Sequence, residues 1–310
     1  MLDTDIGSDV DDALALALIL AEREALELVA VTTVGCGAHV RAEVAATLLG
    51  LAGRRDVETC LGAERPILRD AKRFYEFGHE ASCIADAEPA PISDEPAAER
   101  IVRAAREHPG LELVAIGPMT NLAHALVLDP TLPERVAGVT LMGGHVRTVR
   151  LGSHVCAPGI DYNLCSDPEA TVAVLGAGWP TTLVTADVTL DVWLRDADLD
   201  ALSEAGPVAR ELARQVGFWK PVQHEIFPAL GGELAPDNAA FLHDPLTVLA
   251  LLDPEPLRFE TLGIVTTIEA GILRTHEAPA GAAMGLTRQV ATGVDAAVAR
   301  QAIVDRLLTR

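Results

Sequence analysis

The chain has 310 residues, with 45 acidic side chains against 24 basic ones and a formal net charge of -21. So acidic a surface repels phosphate backbones, which excludes nucleic acid as the expected partner. No apolar run reaches the ~20 residues of a membrane helix, and no basic segment precedes an apolar one as in a secretory signal. The expectation is a soluble, cytoplasmic protein with no membrane partner and, at 49% hydrophobic residues, ample material for a large core. Five cysteines, an odd number without CxxC spacing, predict buried free thiols and neither a disulfide framework nor a zinc knuckle.

Apolar runs alternate with helical patterns. MLDT opens a short first strand; with only Met1 and Leu2 before Asp3, the natural start is expected upstream. Leu26–Val34 (LELVAVTTV) reads as a buried strand and Val40–Gly53 as a helix. Asp86–Pro96 is polar and proline-rich, a loop. Leu111–Gly117 (LELVAIG) is the next strand, with a short helix in TNLAHALVL. Gly138–Gly144 is a strand running into a glycine turn, DPEATVAVLGAG a helix and TTLVTADVT another strand. Residues 203–242 look mostly helical, carry Phe218, Trp219 and Phe227, and read as an inserted cap. GVDAAVARQAIVDRLLTR reads as a closing amphipathic helix, with arginine near its C-terminal end. Strands apolar on both faces, each followed by a helix, indicate a single α/β domain over residues 1–310, with a mainly parallel sheet covered on both sides.

Ligands of such sheets bind outside the carboxyl ends of the strands. Asp5, Gly37, Thr120 with Asn121, and His145 each follow an apolar strand, so these segments converge on one edge. The opening stretch MLDTDIGSDVDD places five aspartates in twelve residues. Asp11 and Asp12 suit the first turn of the helix DDALALALIL, where negative charge meets the helix dipole favourably. Capping does not explain Asp3 and Asp5, which lie in or at the end of a strand. Hard oxygen donors packed this closely point to a divalent cation, with Gly7 allowing a sharp turn between them. An EF-hand fits poorly, because no glutamate closes the loop. A phosphatase with an aspartyl nucleophile would want a lysine in the site, and neither Lys72 nor Lys220 ends an apolar strand.

In order along the chain, DTDIGSDVDDALAL, IGPMTNLAHAL, MGG, DYNLCSDPEA and LHDPLTVLALLDP closely resemble the inosine–uridine-type nucleoside hydrolases, from Asp3 to about Pro254. The resemblance implies a calcium enzyme, commonly a homodimer or homotetramer, that hydrolyses the N-glycosidic bond of ribonucleosides to base and ribose with a calcium-bound water. It implies Asp5, Asp12, the main-chain carbonyl of Thr120 and Asp244 as metal ligands, with Asp5 also the general base. It further implies Asp11, Asp161 and Asn163 as ribose contacts and His243 as the group that protonates the leaving base. The chemistry is consistent: N-glycoside cleavage develops positive charge on the ribosyl ring, which nearby carboxylates favour.

Several positions depart from the family pattern. The opening motif carries two extra residues, and Asp9 reads equally as a ligand, a supporting acid or a loop residue. Cys36 and Gly37 stand where the family has a polar side chain, and Asp161 is a shorter acid than the usual glutamate. Near the expected base pocket, FYEFGHEASC offers either Phe77 or His79 as the group that meets the base. Trp219 reads as a packed aromatic, Thr120 and Asn121 as helix caps, and His145 and His154 as solvated loop histidines. A hydrolase of another ribosyl compound and a non-catalytic, calcium-dependent nucleoside-binding protein are the alternatives.

Overall fold

The computed structural model describes residues 1–68, 76–279 and 286–309; Lys72 lies outside them. In chain order, β1 (Leu2–Thr4) leads through α1 (Asp11–Ala21) to β2 (Ala30–Thr33), α2 (Ala38–Leu51), β3 (Glu58–Cys60) and β4 (Ile92–Ser93). There follow α3 (Ala97–Glu107), β5 (Leu111–Ala115), α4 (Thr120–Leu128) and β6 (Val136–Met142). A small hairpin of β7 (Val149–Leu151) and β8 (His154–Cys156) precedes α5 (Tyr162–Ser166), α6 (Pro168–Gly176), β9 (Thr181–Val184) and α7 (Ala186–Thr189). Next come β10 (Trp193–Arg195), α8 (Asp196–Glu204), α9 (Pro207–Ala229), β11 (Asn238–Phe241) and α10 (His243–Leu252). The chain closes with β12 (Leu257–Glu269), β13 (Ile272–Glu277), β14 (Leu286–Val294) and α11 (Ala296–Leu308).

The main sheet has ten strands in the order β13-β12-β14-β9-β6-β5-β1-β2-β3-β4. From β14 to β4 every pairing is parallel; β12 and β13 add an antiparallel edge. Along β5, Leu113 and Ala115 face one apolar cluster and Val114 the other, as the two-residue repeat of a strand requires. The first cluster holds α3, α4 and α6; the second holds α1, α10 and α11. Helix α1 is buried from Asp11 to Leu20, which explains its lack of a polar face. From β1 the chain builds outward through β2, β3 and β4, then crosses to β5 and builds the other way. The carboxyl ends of β1 and β5 therefore flank the switch point where parallel sheets open a crevice.

The mainly parallel architecture is the expected one, with local differences. TTLVTADVT is a strand only to Val184; Ala186–Thr189 turn into a helix. The segment 203–242 is one 23-residue helix with Pro221 and Pro228 inside it, then loop and the strand β11. Within the expected loop Asp86–Pro96, Ile92 and Ser93 pair with the sheet edge. The three strands from Leu257 to Val294 have no counterpart in the sequence reading, because they are partly exposed and rich in Thr, Arg and Glu. Among the described residues no disulfide joins the five cysteines; Cys60 and Cys83 are buried and the other three half-buried. No helix among the described residues is long and apolar enough to cross a membrane.

Asn121 is a cross-strand clamp and not a cap. Its amide donates to Asp3 Oδ1 (2.7 Å) and to the Thr33 carbonyl (2.9 Å), and its oxygen accepts from the Ala63 N–H (2.8 Å). Asp3 also accepts from Thr32 Oγ1 at 2.5 Å. This knot ties β1 to β2, to the segment after β3 and to the start of α4, so Asn121→Ala should lower stability by about 2–4 kcal/mol in urea unfolding, through unsatisfied buried partners. A loss under about 0.5 kcal/mol would mean the knot is dispensable.

Candidate active site

Residues 5–10 form the loop between β1 and α1. Thr4 ends β1 and its hydroxyl donates to Asp12 Oδ1, which fixes the first turn of α1 against the strand. Gly7 takes φ +117°, a conformation side chains disfavour, and reverses the chain between Asp5 and Asp9. Gly117, just beyond β5, lies so close to Asp5 that a Cβ there would stand 2.9 Å from Asp5 N and Oδ1. The loop is held from below by Arg41, whose side chain is almost wholly buried. Its guanidinium donates to the carbonyls of Asp5, Ile6 (3.1 Å) and Cys36 (2.8 Å) and to Ser8 Oγ (3.0 Å).

Helices α1 and α10 pack together with their N-termini at the same place. Asp11 and Asp12 open one, and His243 and Asp244 open the other. The Asp244 N–H donates to Asp11 Oδ2 at 3.3 Å. Asp11, Asp12 and Asp244 are buried, and each brings a carboxylate oxygen within 4.8 Å of the other two. Burial drives all three carboxyls well above the usual range, and the repulsion of neighbouring aspartates adds to it. Burial raises Asp5 to about 6, opposed by Arg41, and Asp9 to about 8, reinforced by Asp12. Carboxyls forced upward together without a compensating cation fit a divalent metal: the donors are hard oxygens, clustered, and backed by two helix N-termini.

These aspartates form one end of a cavity of about 270 Å³. Six carboxylates line it, from Asp5, Asp9, Asp11, Asp12, Asp161 and Asp244, and among the described residues no lysine or arginine does. The opposite wall is apolar: Ile116 and Met142 from the strand ends, Leu190, and Trp219, Ile226 and Phe227 from α9, with Phe77 at the rim. Phe77 and Trp219 meet edge to face, ring centroids 5.2 Å apart. Asp161 caps α5 by accepting from the Leu164 N–H (3.0 Å), while its Oδ2 is buried with no protein partner. Asn163 donates to the Ile116 carbonyl at 2.8 Å. His243 Nδ1 pairs with Thr189 Oγ1 at 2.6 Å, and burial holds its pKa down to about 4.

Of the residues expected at the site, Asp5, Asp11, Asp12, Asp161, Asn163, His243, Asp244 and Phe77 all line this cavity, as does Asp9. Thr120 does not. It opens α4, its hydroxyl donates to Asp167 Oδ2 (2.8 Å), and a carbonyl in a first helical turn points along the helix. From this segment it is Ile116 that lines the cavity, and its carbonyl accepts from Asn163 Nδ2 at 2.8 Å. His79 is also outside the lining, its Nε2 2.8 Å from the Ser8 carbonyl. His145 is buried, not solvated: its N–H donates to Thr275 Oγ1 (2.9 Å) and its carbonyl accepts from the Gly159 N–H (2.6 Å). His154 is exposed as expected. Trp219 proves to be both packed aromatic and cavity wall. Arg41, Leu190 and Ile226 lie in no motif and carry no sequence signal, whereas Ser8, Ile116 and Met142 stand within the family-like motifs without being the residues that mark them.

A parallel sheet with buried carboxylates at its switch point and an apolar chamber beside them defines a metal-site hydrolase scaffold, for a ligand half polar and half flat. The chain belongs to the inosine–uridine preferring nucleoside hydrolase family, whose sequence profile matches residues 1–301. It is 29% identical to a probable uridine nucleosidase 2 of Arabidopsis thaliana, over 99% of this chain and 97% of that one. It is 33% identical to a pyrimidine-specific ribonucleoside hydrolase of Enterobacter sp. (strain 638), over 82% of this chain and 79% of that one. Among solved structures, a plant nucleoside hydrolase superposes with a TM-score of 0.79 at 25% identity, covering 100% of this chain and 98% of that chain. A purine-preferring ribonucleoside hydrolase from Gardnerella vaginalis gives 0.79 at 26% identity, covering 99% and 96%. The reaction of this metal-dependent family is hydrolysis of a ribonucleoside N-glycosidic bond, and the chain is an enzyme of that kind.

The raised carboxyls set the pH dependence of stability. Without a cation the native state keeps protons that the unfolded chain releases near pH 4, so stability falls as pH rises towards about 6 for Asp5 and about 8 for Asp9. A cation replaces those protons. Adding calcium should therefore raise Tm little at pH 5 and more at pH 8, read by differential scanning fluorimetry. Equal shifts at both values would rule out the cluster as the binding site.

Proposed function

We propose that the chain hydrolyses ribonucleosides to free base and ribose with a calcium ion held by Asp5, Asp12, Asp244 and the carbonyl of Ile116, this last in place of Thr120. The observation that carries the reading is the buried cluster of Asp11, Asp12 and Asp244 facing an apolar, aromatic-walled chamber. When bound, calcium would supply a Lewis acid that orients water and ribose hydroxyls. Hard oxygen donors favour calcium or magnesium over softer metals.

The remaining chemistry falls to the chain. Asp5, just beyond the end of β1 and lining the cavity beside the other aspartates, takes the proton of the attacking water. Asp11, Asp161 and Asn163 hold the ribose, with Asp161 Oδ2 free to accept from a hydroxyl. The ring of carboxylates favours the positive charge that grows on the ribose as the bond breaks. The same negative lining disfavours a 5′-phosphate, so nucleosides and not nucleotides are the substrate class. The apolar wall receives the base. His243 is neutral at pH 7; with Thr189 donating to Nδ1, its Nε2–H is a donor for the departing base.

The relatives named above include uridine, pyrimidine and purine-preferring enzymes, so their common ground is the ribonucleoside. The proposal includes a cytoplasmic homodimer or homotetramer in which the whole chain acts as one catalytic unit.

The test is release of ribose from inosine, uridine, adenosine and cytidine with calcium, then with a strong chelator. Release with calcium and loss on chelation supports the reading. No release from any of the four, with calcium still bound, points to another ribosyl substrate or to a binding role. Asp5→Ala and Asp244→Ala should each abolish ribose release and weaken calcium binding at least tenfold by titration calorimetry; turnover retained in Asp5→Ala would sink the assigned base. His243→Ala should lower kcat by ~10² for these nucleosides. It should do so far less for a nitrophenyl riboside, whose leaving group needs no proton; equal losses on both would place His243 in another role.

A further inference from the structure

The segment that carries Phe77 is fastened to the aspartate loop. Glu80 opens a single 3₁₀ turn and is 9% exposed. Its Oε1 accepts from the Phe77 N–H and from Ser8 Oγ (3.2 Å), and its Oε2 accepts from the Gly78 N–H (2.8 Å). Burial works against this carboxylate, but the backbone N–H groups hold its pKa below the usual value. The neighbouring His79 Nε2 meets the Ser8 carbonyl at 2.8 Å; a carbonyl only accepts, so this nitrogen carries the proton. From the other side, Arg41 donates to Ser8 Oγ at 3.0 Å and to the carbonyls of Asp5 and Ile6. Ser8 thus joins a buried cation to a buried anion 39 positions further along the chain, one holding the aspartate loop and the other the backbone of Phe77.

We propose that Glu80 is a positioning residue for base binding: it sets Phe77 against the cavity and, through Ser8, locks that wall to the aspartate loop. The inference rests on the hydrolase reading and adds to it the element that holds the base. Phe77 has no partner strand or long helix of its own, so its place over the cavity depends on the carboxylate that collects its N–H and the next. Because the same carboxylate takes the Ser8 hydroxyl, the wall and the aspartates keep a fixed separation, which suits a ligand whose base and ribose are joined by one bond. His79 serves the same brace, which explains why it does not face the base.

The experiment compares Glu80→Gln, Phe77→Ala, the double variant and Ser8→Ala on inosine and uridine with saturating calcium, and measures calcium affinity by calorimetry. Glutamine keeps the size of the side chain but has one oxygen for two backbone N–H groups. The expected result for Glu80→Gln is a rise in KM of about tenfold, with kcat within about threefold and calcium affinity within about twofold. Phe77→Ala should raise KM by a similar factor, and the double variant by no more than the larger single effect, since both act through one wall. Ser8→Ala, which removes only a hydroxyl, should raise KM by about threefold. A Glu80→Gln enzyme with lowered Tm but unchanged KM overturns the proposal, leaving the residue structural only. KM effects that multiply in the double variant overturn it too. A wild type that releases no ribose sinks the hydrolase reading and this role with it, whereas a working wild type with an indifferent Glu80 sinks the role alone.

Discussion

The repulsion among carboxylates gathered at the ends of β1 and α10 is the constraint to which much of the structure responds. Asp5, Asp11, Asp12 and Asp244 face one space at distances where like charges in a protein interior oppose each other strongly. Three features relieve that opposition. Helices α1 and α10 direct their positive ends at the cluster. Arg41 lies beneath the loop and lowers the pKa of Asp5 against the effect of burial. The third is the cation that the proposed chemistry requires. Asp3 belongs to a different arrangement: Thr32 and Asn121 donate to its Oδ1 and oppose burial, which still raises its pKa to about 7. Five aspartates adjacent in sequence thus divide into one that fastens the sheet and four that face the cavity.

Backbone proximity makes the gathering possible. Strand β1 is three residues long and lies between β2 and β5, so the groups just beyond it are crowded by both neighbours. Gly117 admits Asp5, and Gly62 admits the Asn121 amide, where a Cβ would fall 2.3 Å from its oxygen. These two glycines need no unusual φ; what they provide is empty volume. The carboxyl ends of β1 and β5 can therefore approach closely enough for one carbonyl, one carboxylate and one asparagine amide to meet over the switch point.

The parallel sheet was legible because its central strands are apolar on both faces and alternate with helices. The antiparallel edge from Leu257 to Val294 was not, because half-solvated strands rich in Thr, Arg and Glu lose that signal. The acidic end of the cavity was legible for a related reason. Aspartates crowded at a strand end and a helix start have few explanations other than a cation, and the resemblance supplied their partners across the chain. The apolar end was hidden, since Ile116, Met142 and Ile226 are ordinary core residues until the fold turns them towards a chamber. Thr120 lies outside the cavity lining and Ile116 within it, because a motif marks a neighbourhood, whereas the direction of a carbonyl is fixed by whether the residue follows a strand or starts a helix.

The departure at Gly37 also has a physical reading. Its φ of +72° is the left-handed conformation that starts α2, and a Cβ there would stand 3.1 Å from the Glu76 carboxylate. A polar side chain at this position would be strained and crowded. Arg41, one turn further along α2, reaches back to the Cys36 carbonyl and on to those of Asp5 and Ile6. A guanidinium can bind several carbonyls at once, and it adds a positive charge that an amide lacks. The aspartate loop here is therefore braced from the helix and not from the turn before it. With Asp9 adding a further negative charge to the loop, a cationic brace suits this chain better than a neutral one.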